Sequence, residues 1–289
     1  MTVAMPPLVE PSWLLSRLND PTTVVLDASW WMPAQKRDAD AEFRDGHIPG
    51  ARRFDFDVKV AARETSLPHM LPPADLFETE VRALGVNRDS VVVCYDKAGI
   101  FAAPRAWWMF KAMGHAAVAV LDGGFPDWVE AGGAVETGEP SAAPAGDFEA
   151  APDSARLRDA DQVLAALQAK SAQVIDARSA PRFNGEEAEP RPGLLSGAMP
   201  GALNLPFDQV LADGRMRSPE ALARAFSEAG VDAGKPLIAS CGSGVTAAVL
   251  ALAAERAGLA PAAVYDGSWA EWGQESRPDL PVVPGGRVA

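Results

Sequence analysis

Short β-branched and apolar runs recur along the chain: TVVLDAS (23–29), SVVVCYD (90–96), AVAVLDGG (117–124), QVIDARS (173–179), PLIASC (236–241) and AAVYDGS (262–268). Amphipathic stretches separate them. Runs this short, alternating with helical periodicity, predict an α/β fold with largely parallel sheets flanked by helices.

The order of signals repeats. VLDAS at Asp27 answers VIDARS at Asp176, IPGA at 48–51 answers MPGA at 199–202, and LDGGFPDW at 121–128 answers YDGSWAEW at 265–272. The offsets are 149, 151 and 144 residues, so the chain reads as one domain duplicated with small insertions. The expected divisions are a first domain over 1–136, a surface linker rich in Pro, Gly and Ala over 137–152, and a second domain over 153–289.

Composition then removes whole classes of function. The formal net charge of −13 disfavours nonspecific binding to nucleic acid or an anionic membrane, and no apolar run reaches a bilayer-spanning length. The only two cysteines, Cys94 and Cys241, make no disulfide framework and suit a reducing compartment. A soluble, cytoplasmic monomer is expected. Two distant cysteines and three scattered histidines have no metal-ligand spacing, and CGSGVTA lacks the lysine of a phosphate-binding loop, so no metal or cofactor is expected.

Cys241 ends an apolar run and opens the small-residue loop CGSGVT, which leads into the helical AAVLALAAE. The peptide N–H groups of Gly242, Gly244, Val245 and Thr246, together with a helix N-terminus, can converge there on an anion and favour the thiolate. The alternative is a small core residue before a glycine-rich turn. The duplication supplies an internal control, because Asp96 falls on Cys241 and Gly99 on Gly244, so only the second half keeps a thiol at this place. Cys94 sits inside a strand pattern and is expected to be apolar packing.

The loop CGSGVTA, the DASWW and HIPGA pattern, APRAWWMFKAMGH, LDGGFPDW and YDGSWAEW together resemble the two-domain rhodanese superfamily over nearly the whole chain. The resemblance implies two rhodanese-like α/β domains, the first without its cysteine, and a sulfur carried as a persulfide on Cys241. Thiosulfate-using branches show Cys-Arg-Lys-Gly-Val-Thr, whose cations suit a dianion. Gly242 and Ser243 are neutral, and the resemblance therefore points to the branch that uses 3-mercaptopyruvate.

Such a donor carries a carboxylate, which the planar fork of arginine can hold bidentately. Arg178, Arg182 and Arg191 are the candidates in an otherwise acidic stretch. On the residues alone they could equally pair with Glu186, Glu187 and Glu189 on a solvated loop, at about 0–1 kcal/mol per exposed pair. By resemblance, Arg182 and Arg191 are the clamp. The resemblance also assigns Ser243, His69 and Asp57 as a set that polarises the ketone and manages its proton, with the Asp57-to-His69 spacing one residue longer than in the family pattern. His47 and His115 read as structural. Two further departures are Ala198, where the family usually has a histidine, and Phe101, where relatives often have a tyrosine.

The implied reaction moves sulfur from 3-mercaptopyruvate through Cys241 to a thiol, such as a small thiol or a thioredoxin-like protein, or to cyanide, and releases pyruvate. Thiosulfate is the rival donor. A noncatalytic binding module is a weaker rival, because such modules usually lose the cysteine. A cysteine phosphatase would need an arginine closing the loop, where this chain has Ala247.

Overall fold

The apolar runs of the first half lie in one five-stranded sheet in the computed structural model, which describes residues 5–140 and 142–286. Its strands are β1 (Leu8–Val9), β2 (Thr23–Asp27), β3 (Arg52–Arg53), β4 (Val91–Tyr95) and β5 (Val118–Leu121). They pair in parallel in the order β1-β5-β4-β2-β3. The second half repeats this with β6 (Leu157–Arg158), β7 (Gln173–Asp176) and β8 (Leu203–Asn204), followed, after the short strands β9 (Leu211–Ala212) and β10 (Arg215–Met216), by β11 (Leu237–Ser240) and β12 (Ala263–Tyr265). The order β6-β12-β11-β7-β8 is the same topology strand for strand. The duplication read from the sequence is therefore a duplication of fold.

Strands covered by helices on both faces need apolar residues without alternation. Accordingly β4 is buried from Val92 to Tyr95 and β11 along its whole length. The helices that follow these two strands, Ala103–Ala112 and Val245–Arg256, are buried on nearly every side. A helix without a polar face is an interior helix. Small alanines let Val245–Arg256 pack closely against its sheet. Among the described residues no helix is long and apolar enough to cross a membrane.

Two compact units emerge. One comprises Met1–Arg63, Leu71–Asp153 and Asp213–Met216, the other Glu64–Met70, Ser154–Ala212 and Arg217–Ala289. The stretch expected as a surface linker, apart from Ser141, which lies outside the described residues, is counted with the first unit and anchored there. Phe148 is 1% exposed and meets Phe77 and Phe110 edge-on at 5.7 and 6.1 Å between centroids. Gly146 N donates to Arg82 O at 2.8 Å, and a Cβ at Gly146 would stand 1.9 Å from Val86 O, so the backbone passes where no side chain fits. One buried ring and a series of backbone hydrogen bonds hold this stretch, and neither leaves a periodic trace in a sequence.

Candidate active site

Cys241 follows β11 directly, at the carboxyl end of a central parallel strand, where open α/β sheets hold their ligands. The residue is 2% exposed, and its Sγ accepts the N–H of Gly244 at 3.1 Å. Gly244, at φ +81°, is the N-cap of the helix Val245–Arg256, and no side chain caps that end. The unpaired first-turn N–H groups and the positive end of the helix thus stand beside the sulfur. Val245 is buried and Thr246 partly so.

The opposite side of the loop is tied down by residues 268–270. Cys241 N donates to Ser268 Oγ at 3.1 Å, and that hydroxyl donates to Tyr265 O at 2.8 Å. Trp269 N donates to Cys241 O and Ala270 N to Gly242 O, both at 2.9 Å. Ser268 is fully buried and takes φ +49°, a left-handed conformation uncommon for a residue with a Cβ. Its counterpart in the first half, Gly124, takes φ +59°. Sequence reasoning passed over Ser268. The available signal was the alignment of YDGSW with LDGGF, which puts a serine where the other copy has glycine.

Arg182 and Arg191 converge over Gly242. A Cβ there would stand 3.2 Å from Arg182 Nη2 and 3.9 Å from Arg191 Nη1. Glycine at this position leaves a guanidinium-walled space next to the sulfur. Arg191 Nη2 also donates to Ser243 Oγ at 3.3 Å, and Ser243 is 6% exposed.

Arg178 has a different role. Its side chain is fully buried, its Nη2 donates to Asp176 Oδ2 at 2.7 Å, its Nη1 donates to Glu189 Oε1 at 2.7 Å, and its guanidinium lies 3.9 Å over the Trp269 ring. Glu189 also takes both Nε and Nη2 of Arg182. The solvated-loop alternative thus holds for Glu186 and Glu187, which are exposed, and fails for Glu189, whose side chain is only 1% exposed.

The first unit holds the matching loop with a carboxylate in place of the thiol. Asp96 follows β4 and accepts four backbone N–H groups: Ala98 at 2.9 Å, Phe101 at 3.0 Å, and Ala102 and Ala103 at 2.8 Å each. Burial pushes its carboxyl up to about 6 against the pull of these amides, which favour the ionised form. The converging N–H groups expected around Cys241 surround a carboxylate here. Gly99, at φ +95°, matches the left-handed Gly244. Cys94 lies in β4 at 0% exposure, and burial pushes its thiol well above the ordinary range.

The remaining candidates fall into place by unit. His69 is 3% exposed, takes the left-handed φ of +61°, and belongs to the segment Glu64–Met70 of the second unit. Its neighbours Leu67 and Pro68 line one groove with Arg191, Leu194 and Ala270. Asp57 belongs to the first unit, where its Oδ2 accepts Trp30 Nε1 at 3.0 Å. His47 Nδ1 lies 2.8 Å from Phe43 O and His115 Nε2 lies 2.9 Å from Ser90 O, the structural roles expected of them. Ala198 is buried and bridges to Val283 as His47 bridges to Glu136, so the turn persists without the histidine. Phe101 stacks on Trp30 at 6.2 Å.

This arrangement can hold a small carboxylate beside a cradled sulfur nucleophile. The sequence profile of the Rhodanese-like domain matches residues 10–131 and 159–275. The chain is 42% identical over 273 residues to 3-mercaptopyruvate sulfurtransferase of Escherichia coli (strain K12), covering 94% of this chain and 96% of that one. It is 45% identical over 264 residues to thiosulfate sulfurtransferase of Gallus gallus, covering 90% and 89%. The crystal structure of SseA from Escherichia coli, a 3-mercaptopyruvate sulfotransferase, matches with a TM-score of 0.83 at 39% identity, covering 92% of this chain and 99% of that chain.

Proposed function

The chain belongs to the rhodanese-like family and carries two such domains, and we propose from this that it is a sulfurtransferase that takes sulfur from 3-mercaptopyruvate onto Cys241 and passes it to an acceptor thiol. The observation that carries the proposal is the sulfur of Cys241 at a helix mouth, beside two guanidinium groups that meet over Gly242.

Arg182 and Arg191 hold the substrate carboxylate and fix the mercapto sulfur against Sγ. The Cys241 thiolate attacks that sulfur, an S–S bond forms, and the C–S electron pair moves into the ketone to give the enolate of pyruvate. Ser243 and the loop N–H groups of Gly242, Gly244, Val245 and Thr246 steady the developing charge. A proton returns to carbon through Ser243 and His69, and pyruvate leaves. The persulfide then gives its outer sulfur to an acceptor thiolate, which restores the Cys241 thiolate. The acceptor is a small thiol or a thioredoxin-like protein, and the enzyme works as a monomer. Two free cysteines suit a reducing compartment such as the cytoplasm.

A donor panel in which pyruvate and sulfide are both quantified tests this reading. Stoichiometric pyruvate from 3-mercaptopyruvate supports it, and the absence of pyruvate refutes it. Arg182→Ala or Arg191→Ala should each lower kcat/KM for this donor by about 1.5–3 kcal/mol, the range for a charge-assisted bond. Normal kinetics in both variants would place the carboxylate elsewhere. Thiosulfate is the second reading, favoured by the 45% identity to the Gallus gallus enzyme. It prevails if thiosulfate has the higher kcat/KM.

A further inference from the structure

Beside the Cys241 loop lies a connected network of ion pairs. Asp176 and Glu189 are buried carboxylates, Arg178 is buried between them, and Arg182 shares Glu189 with Arg178. Arg191 touches Ser243, and among the described residues it has no carboxylate partner. The nearby Glu186 and Glu187 are exposed, and Glu275, which lines the groove beside Arg191, is exposed as well. Of these three guanidinium groups Arg178 and Arg182 are held by buried carboxylates, and Arg191 is the one left uncompensated beside the substrate position.

We infer that Glu189 is a specificity-determining residue that sets the donor's charge at a single negative one. The inference rests on the sulfurtransferase reading above and deepens it. A mercaptopyruvate whose thiol is protonated is a monoanion at neutral pH and matches one uncompensated guanidinium. Thiosulfate is a dianion and brings a second charge into a place where Arg182 is already half satisfied. Glu189 is well placed to act in this way because it is buried: its charge is neither screened by solvent nor swung aside, and its two oxygens hold Arg182 by both Nε and Nη2. It touches no substrate atom and acts through Arg182.

The test is Glu189→Gln, which keeps the shape and removes the charge. The ratio of kcat/KM for thiosulfate to that for 3-mercaptopyruvate should rise at least tenfold at low ionic strength, and the rise should shrink as salt is added. Glu189→Asp, which keeps the charge, should leave the ratio near the wild-type value even where both rates fall. Parallel losses for both donors in Glu189→Gln, with the ratio unmoved, would make Glu189 a structural residue only and overturn the inference. Removing one member of a buried ion network can unfold a protein, so a wild-type measurement stands beside the variant. Oxamate and oxalate are nearly isosteric competitors that differ by one charge. Against 3-mercaptopyruvate, oxamate should compete with the wild-type enzyme at least as tightly as oxalate, and a tenfold preference for oxalate would contradict the charge count. Pyruvate from neither variant nor wild type would instead strike at the sulfurtransferase reading, whereas an active enzyme with an unmoved ratio strikes at Glu189 alone.

Discussion

Cys241→Ser should lower turnover of every sulfur donor at least ~10³-fold while the melting temperature stays close to that of the wild type. A serine hydroxyl matches the thiol in shape and can accept the Gly244 N–H in its place, so the cradle and the ties to Ser268, Trp269 and Ala270 survive. The hydroxyl does not ionise near neutral pH, however, and an oxygen at this position cannot form a persulfide. The loss is therefore chemical and not structural. Cys94→Ala is the companion change. Cys94 is fully buried in β4 with its thiol raised by burial, so its removal should leave kcat untouched and trim stability by about 1 kcal/mol through the lost sulfur packing. Substantial turnover in Cys241→Ser would remove the assignment of the nucleophile.

The second large effect lies in the domain that carries no nucleophile. Asp96→Ala strips the acceptor from four backbone N–H groups in a buried loop. Each buried donor left unsatisfied costs about 1–3 kcal/mol, and because the four share one pocket the total should reach about 3–5 kcal/mol, a large part of an ordinary domain's stability. Asp96→Asn keeps one oxygen and should recover part of this. Urea or thermal unfolding of the full chain measures it, with the first unit melting earlier than the second. A loss below about 1 kcal/mol would mean that water takes over the acceptor role.

Asp96 also shows why much of this protein could be read from its sequence. The strand runs stood out because buried parallel strands need unbroken apolar residues. The two copies could be laid on each other because each loop needs a left-handed glycine at the same point, Gly99 in one and Gly244 in the other. Local backbone demands of this kind leave marks in a sequence.

The roles that are not legible in the sequence rest on tertiary contacts. Glu189 sits in an acidic run that looks solvated, yet its side chain is buried and paired with Arg182 and with Arg178, which stacks on Trp269. Ser268 adopts a conformation that favours glycine, and its reason for being serine is a hydrogen bond to a residue 27 positions away. Phe148 is one apolar residue in a stretch without periodicity. Resemblance assigns Asp57 and His69; the Pro-punctuated loop around His69 suggests an exposed place, whereas the structure buries the residue, and the residue types and spacing carry no local signal of a shared task.

The central claim is that Cys241 alone carries the transferred sulfur, and intact-protein mass spectrometry after exposure to 3-mercaptopyruvate without an acceptor tests it most directly. The wild type and Cys94→Ala should each gain about 32 Da, one sulfur added to one thiol, and Cys241→Ser should gain nothing. Addition of a small thiol should return the first two to their starting masses. A sulfur adduct on Cys241→Ser, or pyruvate release by the wild type with no adduct on Cys241, would contradict the account.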